Sequence, residues 1–502
     1  MPSRRTLLKT GGAVALTATA LGTGSTAAYA GTRRWSWLES RLRGDLVLPG
    51  DARYDLAKQI QIAAYDAVNP QGIAYCETAE DVSNSIRFAR HHEIPVRIRS
   101  GGHNQSGWST GEGLVVDLSR INQVDVGRQT IHVGPGNEAI EVVNKLRPAG
   151  KQVVSGTCAT VCLGGFLSGG GIGYHTRKFG VGSDRVVSAK LVLADGRVVR
   201  CSPAEHPDLY WAIRGGGGGN FGVVVDFEVR PIDQPTAVNY TTMWPADRMA
   251  DAFTQWQRWC VDGPNSLGSL FVVSPPYGGQ PAVLVTGMYL GPKQELEALL
   301  DQLAERIGAQ PLSRTVSEQL PYAEAAHTNY CGDKTLEQCQ RVGHNPDAVM
   351  PRTPYQTQSY QLIDRALTPA EVADYLAAWD TRGDELQHRY LQCMAIGGVA
   401  NEIGRDSSAW WHRDARFLIG YLVGQDSPTP APDKIAAAQE WADAGAAVLA
   451  RFASGSYINF PSSRPVDDWQ HSTWGGHYER LVRIKRAYDP QNFFRYAQSI
   501  GS

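Results

Sequence analysis

The sequence predicts an α+β protein organised as two bodies, and three observations carry that expectation. Three glycine-rich loops, each beside an apolar β-like run, all fall within the first 230 residues. After the proline-bracketed segment Arg230–Pro235 the pattern changes to long helical stretches alternating with strands, and the glycine loops stop. From Tyr457 to Ile500 the chain regains a turn-rich character. A length of 502 residues suits two or more domains, or one two-lobed body.

Taken in order, a helix is expected from Tyr54 to about Tyr65, then a short strand at Ala74 with a helix start at Thr78 or Asp81. Apolar residues Val82, Ile86 and Phe88 carry that helix to His92. Strands are expected at Pro95–Arg99, Leu114–Leu118, Thr130–Gly136 and Val223–Arg230, a helix at Glu138–Leu146, and a hairpin turning at Asp195 and Gly196. Beyond Pro235, helices at Ala246–Cys260, Lys293–Ile307, Pro369–Asp380 and Lys434–Ala453 alternate with strands at Leu270–Ser274, Ala282–Tyr289, Tyr390–Val399 and Arg416–Val423. Helices against an antiparallel sheet make a substrate-binding body.

The densest glycine stretch, Val154–Gly182, holds Cys158 and Cys162 among Gly156, Gly164, Gly165, Gly169, Gly170, Gly171 and Gly173. Glycine at that density is poor helix or strand material, because each one costs backbone entropy on folding. It suits backbone that runs close to a flat or charged ligand with its N–H groups turned inward. The other two loops are Arg97–Gly107, containing His103, and Arg214–Gly222, with five successive glycines. Together they point to one extended, phosphate-bearing cofactor. None fits a nucleotide-triphosphatase loop or a strand–GxGxxG–helix unit.

A net charge of −2 gives no electrostatic case for nucleic acid or an anionic membrane, and 42% hydrophobic with 20% charged residues describes an ordinary soluble protein. Thirteen tryptophans and 20 tyrosines suit a pocket that stacks on rings. Residues 1–30 stand apart. Arg4 and Arg5 precede a short apolar segment, Gly11–Leu21, and the small-x-small pattern Ala28-Tyr29-Ala30, as in a twin-arginine export signal. The protein is therefore expected to be secreted, and among its eight cysteines Cys331 and Cys339 are the best-placed disulfide pair.

Six segments in order, Arg99–His103, Gly156–Val161, Ser168–Gly173, Gly218–Gly222, Tyr457–Asn459 and Asp489–Arg495, resemble the vanillyl-alcohol-oxidase superfamily. Within it the chain resembles the berberine-bridge-enzyme-like flavoprotein oxidases, over roughly Leu46 to Ile500. The resemblance implies a two-part FAD-binding domain, residues 40–232 plus a C-terminal segment 456–502, around an inserted substrate domain, 233–455. It implies FAD attached twice, through His103 to the flavin 8α-methyl and through Cys158 to C6. Cys162 stands where these proteins usually carry glycine, as packing or as an alternative linked thiol. The remaining cofactor set is Arg99, Ser100, Gly101, Gly102, Asn104, Gly107, Gly156, Thr157, Val161, Gly164, Gly170, Gly171, Gly173, Asn220, Gly222, Val223, Val224, Tyr457 and Asn459. Val161, three residues after the linked cysteine, resembles the oxygen-permissive choice. No metal is implied.

Two departures leave the catalytic base open. The family's Y-x-N-Y motif ends here in Phe460, and Ile172 replaces a common active-site tyrosine. Tyr457 is the first candidate for base or flavin-edge contact; in a strand it would share a face with Asn459, with Phe460 opposite. Glu402 and His412 are further candidates. The expected function is a secreted oxidase that passes hydride from an alcohol or hemiacetal to flavin and reduces O2 to H2O2. A small-molecule natural product is the favoured substrate, with an oligosaccharide oxidase or a non-redox cyclase as alternatives. A monomer or homodimer is expected, with no nucleic-acid or membrane partner.

Overall fold

The computed structural model describes residues 34–277, 280–379 and 387–502. Residues 1–30, expected from the sequence to be an export signal, lie outside the described residues. A short helical segment, residues 34–39, belongs to an N-terminal unit, and Leu42–Ser502 fold as a second unit.

The second unit opens with a four-stranded sheet. Strand β1 (Asp45–Val47) pairs antiparallel with β2 (Gly72–Tyr75). Helix α1 (Ala79–His91) then leads to β3 (Val96–Arg99), which lies parallel to β4 (Leu114–Asp117), itself parallel to β2. Thr78 caps α1 through a capping box with Asp81, a sequence signal that fixes where the chain turns. A second, five-stranded sheet follows: β5 (Val124–Val126), β6 (Ile131–Val133), β7 (Val186–Val192), β8 (Val198–Cys201) and β9 (Val223–Val229), in the order β5-β6-β9-β7-β8. Helix α2 (Ala139–Leu146) follows β6, and the short α3 (Leu163–Ser168) sits inside the densest glycine stretch.

Lys151–Gln152 and Ile232–Asp233 pair as a two-stranded ribbon, and the strands from Thr236 onward form an antiparallel sheet. They are β10 (Thr236–Trp244), β11 (Leu267–Tyr277), β12 (Gln280–Tyr289), β13 (Ser313–Val316), β14 (Tyr355–Ile363), β15 (His388–Ala395) and β16 (Phe417–Gln425). Their order is β13-β10-β12-β11-β15-β16-β14, with Leu320–Pro321 added beside β10. Helices α4 (Met249–Asp262), α5 (Lys293–Ile307), α6 (Pro369–Trp379) and α7 (Pro432–Leu449) cover it. Between helices and sheet lies an aromatic core of Phe253, Trp256, Phe271, Tyr375, Tyr421 and Trp441. Sheet and helix faces bury each other there, as the alternation of elements predicts.

The last helix, α8 (Tyr478–Tyr488), carries the chain back to the glycine-rich half. Buried Lys485 donates to Asn220 O at 2.7 Å, to Phe494 O at 2.6 Å and to Asp489 at 2.7 Å, while Ile500 N donates to Asn220 Oδ1 at 2.9 Å. The returning segment is thereby fastened to the five-glycine loop.

Three local expectations are corrected. The helix from Tyr54 ends at Ala57, and a 3-10 turn covers Ala63–Ala67. Between them Gln61 N bonds Gly102 O at 3.0 Å and Ala63 N bonds Thr353 O at 2.8 Å, so long-range pairing outcompetes the helical ladder. Strand β15 stops at Ala395, because Gly397 and Gly398 adopt φ of 93° and 59° and turn the chain. Tyr457–Phe460 is a turn rather than a strand: Phe460 N donates to Tyr457 O at 2.9 Å, and the Phe460 ring stacks on Tyr457 instead of pointing away.

Candidate active site

A single elongated cavity collects the glycine loops and the C-terminal return. Its lining includes Ser100, Gly101, Gly102, His103 and Asn104, then Gly156, Thr157, Cys158, Val161, Cys162 and Gly164, then Val224, and finally Tyr457 and Asn459. The loop containing His103 leaves the end of β3 and is shaped by Asn104, whose Oδ1 accepts from Ser106 N and Trp108 N, both at 3.0 Å.

His103 Nε2 is held by Thr160 Oγ1 at 2.7 Å, which leaves Nδ1 as the other ring nitrogen. Burial, reinforced by the Arg341 guanidinium, lowers its pKa to about 3, so the imidazole is neutral and has a free lone pair at ordinary pH. Cys158 faces the same cavity. Its surface is open to that space while protein surrounds it, and burial raises its thiol pKa, with the Thr157 hydroxyl acting in the opposite sense. Cys162 differs: it is buried, and its Sγ lies 3.3 Å from Gly136 O and packs against Gly101.

Tyr457 is buried, and its hydroxyl oxygen accepts from Gly171 N and from Asn459 Nδ2, both at 3.0 Å. Asn459 Nδ2 also reaches Phe166 O at 3.2 Å. Burial raises the phenol to about 12, outweighing the donors from Gly171, Asn459 and Ile172. The glycines make this possible: Gly171 has φ 91°, and a Cβ there would stand 2.6 Å from the Phe166 ring.

Several expected cofactor residues lie outside the lining. Arg99 is buried in an ion pair with Asp117 and donates to Ala57 O at 2.8 Å. Gly107 sits against the Tyr65 ring. Gly170 packs on Trp410, and Gly171 and Gly173 build the loop that meets Tyr457. Asn220 fastens the C-terminal segment, while Val223 begins β9 and Gly222 immediately precedes it. Of the other base candidates, His412 is buried with Nε2 on Thr473 O at 2.8 Å, its pKa lowered to about 4 by burial. Glu402 ends a short helical turn, and neither it nor His412 lines the cavity. Among the described lining residues there is no carboxylate.

The motifs miss Trp108, Phe166 and Tyr496, which also line the cavity. Trp108 and Tyr496 stack with ring centroids 5.0 Å apart across nearly 400 residues of sequence, so only the general aromatic richness hinted at them.

The residues fit an extended dinucleotide. A Cβ on Gly165 would meet nothing within 4 Å and would stand in the cavity itself, and one on Gly218 would find its nearest atom at 3.6 Å. The wall is therefore open backbone. Buried Gln105 Oε1 and the hydroxyls of Ser106, Ser109 and Thr110 have no partner among the described residues, which suits ribose and phosphate groups.

Comparison with known proteins agrees. Residues 70–202 match the FAD binding domain family, and residues 456–501 match the berberine and berberine-like family. The FAD-linked oxidoreductase YgaK of Bacillus subtilis is 30% identical over 475 residues, 92% of this chain and 98% of YgaK. Chitooligosaccharide oxidase of Gibberella zeae is 27% identical, covering 86% of this chain and 87% of that protein. The (R)-6-hydroxynicotine oxidase of Paenarthrobacter nicotinovorans is 28% identical over 91% of this chain and 97% of its own length. Among solved structures, a chitooligosaccharide oxidase superposes with a TM-score of 0.81 at 23% identity, covering 93% of this chain and 99% of that one. The Physcomitrella patens BBE-like 1 protein gives 0.82 at 22%, covering 93% and 98%; these two likenesses speak to fold. Fold, cavity and relatives together define an FAD-linked oxidoreductase. The chain belongs to the berberine-bridge-enzyme-like family of the vanillyl-alcohol-oxidase superfamily.

Among the described residues no helix is long and apolar enough to cross a membrane.

Proposed function

We propose that this chain is an exported oxidase that carries FAD on two covalent links, His103 and Cys158, and acts on an alcohol or hemiacetal carbon. In this reading residues 40–232 and 456–502 form the cofactor body, and 233–455 form the substrate body. The observation that carries the attachment is the presence of a neutral imidazole and an exposed thiol on one cavity. Glucooligosaccharide oxidase of Acremonium strictum, described with a 6-S-cysteinyl, 8α-N1-histidyl FAD, superposes with a TM-score of 0.81 at 20% identity, covering 93% of this chain and 98% of that one.

When bound, the flavin supplies the two-electron acceptor for a substrate C–H bond and passes the electrons to O2, giving H2O2. The chain's own residues position and exclude. Thr160 occupies His103 Nε2 and so presents Nδ1 to the cofactor edge. Tyr457 is a phenol at neutral pH. With two donors already on its oxygen, its own O–H is directed to an acceptor at the reacting end, on substrate or cofactor. This role is that of a hydrogen-bond donor and orienting group, since proton acceptance would need a phenolate. Val161, Phe166, Ile172 and Phe460 give the same cavity an apolar surround that disfavours water.

That apolar surround favours an alcohol carried on a largely apolar body, as in a natural-product tailoring step. The similarity to chitooligosaccharide oxidase supports a second reading, an oligosaccharide as substrate. Anaerobic mixing of the enzyme with hydroxylated aromatic or polyketide alcohols and with chitooligosaccharides separates them. Bleaching of the flavin by the first group supports tailoring, bleaching by the second supports sugar oxidation, and no bleaching by either sinks the oxidase reading.

A further inference from the structure

The wall behind the His103 loop is built by a distant segment that none of the motifs contains. After the helix Tyr322–Cys331 the chain closes the Cys331–Cys339 disulfide and runs back as a strap to Pro354. Arg352 anchors the strap, donating to Asp66 at 2.6 and 2.8 Å and to Ile60 O at 2.8 Å, and Thr353 N bonds Gln61 O at 3.0 Å. At the other end Gln340 donates to Glu141 at 3.0 Å. Between these anchors Arg341 turns inward. Its Nη1 lies 3.4 Å from Gly101 O, and a Cβ on Gly102 would sit 3.3 Å from the same nitrogen. The guanidinium is therefore packed on the backbone of the two residues that precede His103. Asp117 faces it with negative charge and Arg99 and Arg352 with positive charge, while the Glu138 carboxyl beside it is held protonated at neutral pH by burial.

We propose that Arg341 is a positioning residue for covalent cofactor attachment: by holding the Gly101–Gly102 backbone it fixes where the His103 imidazole meets the cofactor edge. Cys158 sits on a separate loop, and among the described residues no hydrogen bond or ion pair joins it to Arg341, so its attachment is expected to depend less on that side chain. The role rests on the bicovalent reading above. Each attachment replaces one flavin C–H and one N–H or S–H by a C–N or C–S bond; the two electrons and two protons released pass to O2, giving H2O2.

The test uses full-length protein in two backgrounds, Cys158→Ala, where only the histidyl link can form, and His103→Ala, where only the cysteinyl link can form. Arg341→Met and Arg341→Lys are placed in each, and flavin retained on acid-precipitated protein is measured with intact mass. The expected result is at least a fivefold loss of linked flavin with Arg341→Met in the Cys158→Ala background. Less than a twofold change is expected in the His103→Ala background, with Arg341→Lys restoring part of the histidyl link. Equal losses in both backgrounds, or no loss in either, would overturn the role, because a general packing defect affects both links alike. If Arg341→Met does not fold, Arg341→Lys alone must still show the one-sided loss. Parents that release all flavin before Arg341 is altered overturn the bicovalent reading and this role together, a distinct outcome.

Discussion

Asn459 Nδ2 donates to the Tyr457 hydroxyl at 3.0 Å and to Phe166 O at 3.2 Å, so one amide ties the phenol to the glycine-rich helix across 293 residues of sequence. The Gly171 N–H completes the arrangement from the opposite loop. The phenol oxygen is thus an acceptor twice over before substrate arrives, and only its proton remains to be given.

Tyr457→Phe keeps the stack on Phe460 and the edge contact with Trp410 but strands two buried donors. Each stranded donor costs roughly 1–3 kcal/mol. The melting temperature falls while the fold survives, and flavin reduction slows by roughly 10²-fold. Anaerobic stopped-flow reduction checks this; an unchanged rate would remove Tyr457 from the reacting end.

Val161→Leu adds a methylene to the cavity wall three residues from Cys158. It is expected to slow reoxidation by O2 at least tenfold and to leave anaerobic reduction within twofold. Monitoring both half-reactions of one variant is sufficient, and parallel slowing of the two would show general crowding instead.

The ion pair Arg413–Asp184 joins the two halves with bonds of 2.7 and 2.9 Å, its side chains 3% and 5% exposed. Arg413→Met leaves Asp184 buried and unpaired, at a cost of about 3–5 kcal/mol. Urea denaturation should show that loss with the cavity spectrum unchanged in the folded baseline.

Stability should fall at both ends of the pH scale. Burial lowers the pKa of His175 to about 3 and of His412 to about 4, so below the unfolded value of about 6.5 the unfolded chain binds protons that the fold does not. Their contribution is present above pH 6.5 and is lost as the pH falls, by up to about 1.4 kcal/mol per pH unit for each group. Glu138 has the opposite sign. Burial, with Glu141 beside it, raises its carboxyl to about 8, so its contribution is complete below the unfolded pKa and lost as the pH rises toward 8. Glu138→Gln should therefore gain on wild type between pH 5 and 8.5 in urea midpoints, and a constant difference would contradict the assignment.

That His103, Cys158 and their glycines would share one cavity was legible because the signal is local: glycine spacing around both residues leaves open backbone wall in the sequence itself. The helices after Pro235 were legible from period and punctuation, Lys293–Ile307 to the residue. Long-range closure was not. Nothing near Arg341 signals that it reaches Gly101, and Trp108 gives no sign of its stack with Tyr496. The turn at Tyr457–Phe460 is not legible locally, because aromatic residues flanking Asn459 satisfy strand propensity, while the Gly171 N–H that meets Tyr457 lies 286 positions away.

Bicovalent attachment requires His103 and Cys158 both to hold the flavin, and the direct measurement is flavin retained by acid-denatured wild type, His103→Ala and Cys158→Ala. The structure's arrangement predicts that all three stay yellow, each single variant through its remaining link, and that their denatured spectra differ. Release of all flavin by wild type, or a Cys158→Ala spectrum identical to wild type, would contradict it.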